Sequence, residues 1–159
     1  MKTIRIQIPG LVLVAAFIAL TLSLGETSAS ASERTRHLHV RKDCTAYTGL
    51  AGSSCTITRS NIPAIPAGSK VFYDQAANNP EGLLDSNIVL DAGNGNRAVG
   101  RCTLDLVSGL ALCLFFDGTG ELAGFHARIN GTPGIPPDLL YHWDGTYSFN
   151  DNVSEHDEK

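Results

Sequence analysis

From Cys55 onward the chain breaks into short runs of alternating or continuously apolar residues, separated by clusters of Gly, Asn, Asp and Pro, and no run keeps a helical period. That punctuation is what consecutive antiparallel strands joined by tight turns require. The runs are "CTITRS" (Cys55–Ser60), "KVFYDQA" (Lys70–Ala76), "SNIVLDA" (Ser86–Ala92) and "RAVGRCTLDL" (Arg97–Leu106). They continue with "ALCLFF" (Ala111–Phe116), "LAGFHARIN" (Leu122–Asn130) and "YHWDGTYSF" (Tyr141–Phe149). Asn94-Gly95 and Asp117-Gly118 are hairpin signals, since these residues tolerate the positive φ of tight turns, and Ser108-Gly109 supplies another turn. Tight sequential hairpins favour a meander, and closing the meander removes its exposed edges. The expectation is therefore an all-β fold, an antiparallel up-and-down β-barrel of about eight strands, with an open sandwich as its rival. An eighth strand would come from "CTAYTGL" (Cys44–Leu50) or from "NIPAIPAGS", whose prolines suit a central strand poorly.

Ahead of these runs, Lys2 and Arg5 precede an uncharged apolar stretch of 14 residues, Leu11 to Leu24, and small residues follow in "ETSASAS". This order reads as a secretory signal peptide over residues 1–31, with Ala29-Ser30-Ala31 as the cleavage pattern. A membrane anchor is the rival, but spanning a bilayer takes about 20 apolar residues. A secreted location, extracellular or periplasmic, is expected, with no membrane attachment after cleavage. Residues 32–54 read as an N-terminal segment holding a disulfide loop, residues 55–150 as the barrel, and residues 151–159 as a disordered acidic tail.

Without residues 1–31 the chain carries 10 Lys and Arg against 15 Asp and Glu, a net charge of −5. Its basic residues are scattered apart from "RTRHLHVRK" (Arg34–Lys42), so no stripe favours nucleic acid. Four cysteines in a short exported chain read as two disulfides, for which three pairings exist. Cys44–Cys55 around a Gly/Ser-rich loop and Cys102–Cys113 across a hairpin form the favoured set. A zinc site is disfavoured because neither pair has CxxC spacing, and no other metal site is expected.

Successive side chains of a strand point to opposite faces. Tyr141, Trp143, Tyr147 and Phe149 thus share one face with Phe125, Ala127 and Ile129 of the preceding run, and that apolar face points into a water-soluble barrel. His142 and Asp144 fall on the outer wall, away from the tryptophan. Arg101, Asp105, His126 and Arg128 are placed to form an outer ion-pair lattice. Two readings of the aromatic interior stay open: a filled core, or a lumen that holds one small guest. In the second, Tyr73, Phe125, Trp143 and Tyr147 line the lumen. "ALCLFF" is apolar on both faces, so one must look outward, which points to a homo-oligomer contact. No nucleophile-elbow serine and no Ser/His/Asp triad is present, and no catalytic residue is identified.

The run "GRCTLDLVSGLALCLFFDGTGELAGFHARI" and the closing "YHWDGTYSF" resemble the allene oxide cyclase barrel-like proteins, a group akin to the plant dirigent proteins. The pattern G-x-C…G…C…F-x-x-G-x-G-x-x-x-G-F and the W-D-G-T-Y-x-F strand carry the resemblance, which covers roughly Cys55 to Asn150. It implies a barrel, often oligomeric, that binds a small hydrophobic or phenolic molecule in its lumen. It also implies that any chemistry is a cyclisation or isomerisation steered by positioning, with no metal or organic cofactor. The alternative function is a non-catalytic, disulfide-stabilised extracellular protein that binds a partner through its outer faces.

Overall fold

In a computed structural model of the chain, residues 34–77, 82–134 and 140–150 are described. They form eight antiparallel strands: β1 (Arg36–Asp43), β2 (Ser54–Ser60), β3 (Lys70–Tyr73), β4 (Leu83–Asp91), β5 (Arg97–Asp105), β6 (Ala111–Thr119), β7 (Phe125–Pro133) and β8 (Tyr141–Phe149). Each pairs with its sequence neighbours, and β8 pairs with β1 to close the barrel. A 3₁₀ turn, Gly120–Leu122, joins β6 to β7. The expected all-β, up-and-down, eight-stranded architecture is what the chain adopts. The stretches expected to be a signal peptide, residues 1–31, and an acidic tail, residues 151–159, lie outside the described residues.

Alternation puts one face of every stave inside. Along β4 the even positions Leu84, Ser86, Ile88 and Leu90 are buried between exposed or half-exposed neighbours. On β7, Phe125, Ala127 and Ile129 point in, as the period-two pattern requires. Each large side chain buried in this way contributes about 2–3 kcal/mol.

The first strand is the main departure from expectation. Neither "CTAYTGL" nor "NIPAIPAGS" is a stave; "RHLHVRKD", Arg36–Asp43, is. The barrel thus starts well before Cys55, inside residues 32–54, where the sequence suggests only an N-terminal segment holding a disulfide loop. Its inward positions are Leu38, Val40 and Lys42, and His37, His39 and Arg41 face out. The loop 61–69 instead folds over one end of the barrel, where Ile62 and Ile65 are buried with Leu122 of the 3₁₀ turn.

Two turns show how local signals play out. Asn94 and Gly95 both take positive φ, 54° and 81°, as the hairpin between β4 and β5 demands. Asp117-Gly118 is not a turn. The pairing of β5 with β6 slips between Val99 and Gly100, so an extra residue carries β6 on to Thr119 and the reversal falls at Gly120. The outer ion-pair lattice is also not formed as expected. Arg101 instead donates to both carboxylate oxygens of Asp85, at 2.9 and 2.7 Å, and Asp105 accepts from Val107, Ser108 and its hydroxyl within its own turn.

Gly145 shows how tightly β8 is seated between its neighbours. It faces Ile129 on β7 and Leu38 on β1, and a Cβ there would overlap the Arg128 carbonyl and come within 2.9 Å of the Ile129 Cα. Gly145→Ala should therefore destabilise the barrel by about 2–3 kcal/mol, since overpacking against backbone cannot be relieved by a rotamer change. Urea unfolding would read this directly; an unchanged midpoint would mean that β8 can move outward without cost.

Candidate functional site

Both favoured disulfides are present, Cys44–Cys55 and Cys102–Cys113. The second joins directly opposed residues of β5 and β6. Both lie at the end of the barrel opposite Ile62 and Ile65, where β1, β3 and β5 finish and β6 and β8 begin. There they help line a cavity of about 40 Å³. Lys42, Tyr47, Tyr73 and Tyr141 supply its polar groups, and Leu104, Leu106 and Ala111 an apolar wall.

Lys42 is the unusual member. Alternation on β1 forces it inward after Leu38 and Val40, and only 4 % of it is exposed. Its Nζ donates to the Tyr73 hydroxyl at 2.5 Å and lies 4.0 Å from the centre of the Trp143 ring, with the Tyr73 and Tyr141 rings at 5.3 and 5.7 Å. No described carboxylate lines the cavity. Burial without a counter-charge disfavours the ammonium and lowers its pKa to about 7. Burial pushes the Tyr73 phenol well above its ordinary range, helped by Tyr47 and Tyr141, so it stays protonated.

The loop between β1 and β2 brings Tyr47 over this end. The Cys44–Cys55 bridge ties it down, and Gly52 N–H donates to the Tyr73 carbonyl at 2.7 Å. The Tyr47 ring then meets Tyr73 edge-on at 5.3 Å. Its hydroxyl and the Trp143 Nε1 are both buried with no hydrogen-bond partner among the described residues. Such groups cost about 1–3 kcal/mol each when left unsatisfied. Trp143 has its place because Gly131 faces it across β7; a Cβ at Gly131 would sit 3.3 Å from the indole.

The four residues expected in the lumen separate into two groups. Tyr73 lines the cavity, and Trp143 lies under its lysine. Phe125 and Tyr147 belong to a packed aromatic cluster: Phe125 meets Phe115, Tyr147 and Phe149 at tilted angles with ring centres 5.4–6.0 Å apart, and Phe115 in turn meets Trp143 at 6.0 Å. That half of the interior is filled core, and the cavity occupies the other. At roughly 10–15 Å³ per water it admits two or three water-sized groups. Sequence reasoning missed Lys42 and Tyr47, although the i, i+2 series Leu38, Val40, Lys42 was the signal that could have found the lysine.

His142 and Asp144 do lie on the outer wall, and Asp144 takes His39 of β1 as its partner at 2.7 Å. Among the described residues no group of three His, Cys, Asp or Glu side chains is placed to hold a metal. No helix among them is long and apolar enough to cross a membrane. No protein-family model, curated protein or solved structure matches this chain.

Proposed function

We propose that this is an exported barrel whose disulfide-rimmed mouth binds a small hydrophobic or phenolic molecule through Lys42 and Tyr73. The observation that carries this reading is the buried Lys42, with no described carboxylate beside it, on a cavity whose Tyr47 hydroxyl lacks a hydrogen-bond partner among the described residues. A buried ammonium needs a partner, and the hydroxyl of a phenol or phenolate supplies one, entering the cavity of about 40 Å³ while the ring stays at its mouth. The two disulfides fit an oxidising compartment, in keeping with the N-terminal export pattern. The resemblance to allene oxide cyclase-like barrels supports the same use of the interior. The positioned amine and phenol would suit proton transfer in an isomerisation or cyclisation without a cofactor.

Trp143 is the only tryptophan of the chain and lies 4.0 Å from the Lys42 Nζ, so its fluorescence should report binding. Titration with simple phenols should change its emission, and Lys42→Met should weaken the binding about 10- to 100-fold through loss of a charge-assisted hydrogen bond. Native mass spectrometry of the oxidised protein from its own host should show a bound small molecule. An empty barrel with silent fluorescence across apolar and phenolic ligands would sink the reading.

A second reading rests on the outer face of β6. Leu114 and Phe116 are 40 % and 53 % exposed there, with Val99 of β5 at 38 %. An apolar outer face of this kind suits a homo-oligomer or a protein partner. The same native spectrum decides it: an unliganded oligomer favours this surface over the pocket.

A further inference from the structure

We infer that the mouth pocket captures small aldehydes or ketones as a Schiff base on the Lys42 Nζ, with Tyr73 as the proton relay. The inference rests on the pocket reading above and goes further, since it assigns a covalent step and a substrate class. Three features carry it. Lys42 is one of the side chains that line a cavity. The groups that surround it are the phenols of Tyr47, Tyr73 and Tyr141 and the indole of Trp143, with no carboxylate on the described lining to hold it as an ammonium. A hydroxyl that burial keeps protonated lies 2.5 Å from its nitrogen.

A lysine amine is nucleophilic only as the free base, and an apolar pocket is a known way to supply that form. With its pKa lowered to about 7 by burial, a substantial share of Lys42 is free base at neutral pH. An ordinary lysine is free base to about 1 part in 3,000 there. In the first step the nitrogen lone pair forms a bond to the carbonyl carbon. The carbonyl π pair moves to oxygen, which takes the Tyr73 proton, and the attacking nitrogen returns one of its own to the Tyr73 oxygen. In the second step the C–O bond breaks, and the oxygen leaves as water with the second nitrogen proton, again relayed through Tyr73. Amine plus carbonyl thus become imine plus water, with Tyr73 unchanged. Tyr47, whose buried hydroxyl lacks a partner among the described residues, lines the same cavity and can donate to the departing oxygen. A cavity of about 40 Å³ favours short carbonyl compounds.

The chain permits a clean test, because Lys42, Lys70 and Lys159 are the only lysines after residue 31 and Lys70 is exposed. The oxidised protein is incubated with acetaldehyde and sodium cyanoborohydride at pH 6, 7 and 8, then mapped by peptide mass spectrometry. Lys42 should be ethylated at least tenfold faster than Lys70 at pH 7, and Tyr73→Phe should slow Lys42 alone about tenfold while near-ultraviolet circular dichroism stays native. Lys42 labelling no faster than Lys70 labelling overturns the inference. If phenols still perturb Trp143 in that case, only the covalent step falls; if they do not, the pocket reading falls with it.

Discussion

Lys42→Met should make the protein more stable at pH 7 by about 3 kcal/mol, an unusual outcome for a buried core position. The wild-type lysine has a pKa near 7 when folded against about 10.4 when unfolded. Between those values the unfolded chain holds a proton there that the folded chain lacks, so stability rises with pH across that window. The full penalty applies below pH 7, fades as the pH climbs, and is gone above the unfolded value. A difference of that size corresponds to about 5 kcal/mol. Methionine also leaves the buried Tyr73 hydroxyl without the hydrogen bond it shares with the Lys42 Nζ, at a cost of about 1–3 kcal/mol, which leaves the smaller net figure. Above about pH 10 the slope should reverse, because Tyr73 stays protonated in the fold while its unfolded counterpart ionises. Urea unfolding of both proteins at pH 7, 8.5 and 10 would check this: the wild type should gain stability up to pH 10 and the methionine variant should be nearly flat. A flat wild-type profile would show that Lys42 stays charged inside the barrel.

Loss of both disulfides should leave the barrel close to unfolding at 37 °C. Each bridge closes a loop of sequence separation 11, worth about 3 kcal/mol in lost chain entropy. The sum, about 6 kcal/mol, rivals the whole stability of a typical domain. The two bridges should nevertheless behave differently. Cys102 and Cys113 are 1 % and 0 % exposed, so Cys102→Ala with Cys113→Ala also leaves a cavity in the core and should lower Tm by roughly 10 °C or more. Cys44 is only half-buried, and its bridge holds the loop that carries Tyr47. Cys44→Ala with Cys55→Ala should cost less stability but abolish phenol binding. Calorimetry and Trp143 fluorescence on the two double variants separate these effects; equal losses on both readouts would refute the division of labour.

Seven of the eight staves are legible in the sequence because short runs of alternating or continuously apolar residues stand between turn residues. β1 escapes this pattern for a physical reason. Its outward side carries His37, His39 and Arg41, and its inward series ends in Lys42, so the run looked like a basic patch rather than a half-buried strand. The same reversal hid the candidate site, since a lysine on an inward position breaks the very pattern used to find inward positions. Asp117-Gly118 misled in another way: the dipeptide suits a hairpin, but the slip in register between β5 and β6 is a property of the pair and leaves no mark on either strand alone. The disulfide pairing was readable because Cys102 and Cys113 flank a short hairpin, which leaves them opposite each other.

Because Ile62, Ile65 and Leu122 stopper one end of the barrel, the interior behaves as a vessel with one door. A guest of the proposed mouth pocket would have to leave by the route it entered, and a second could not arrive until the first had gone. Ligands of quite different chemistry should then displace one another at one-to-one stoichiometry, and a molecule wedged at the rim would silence the interior without touching it.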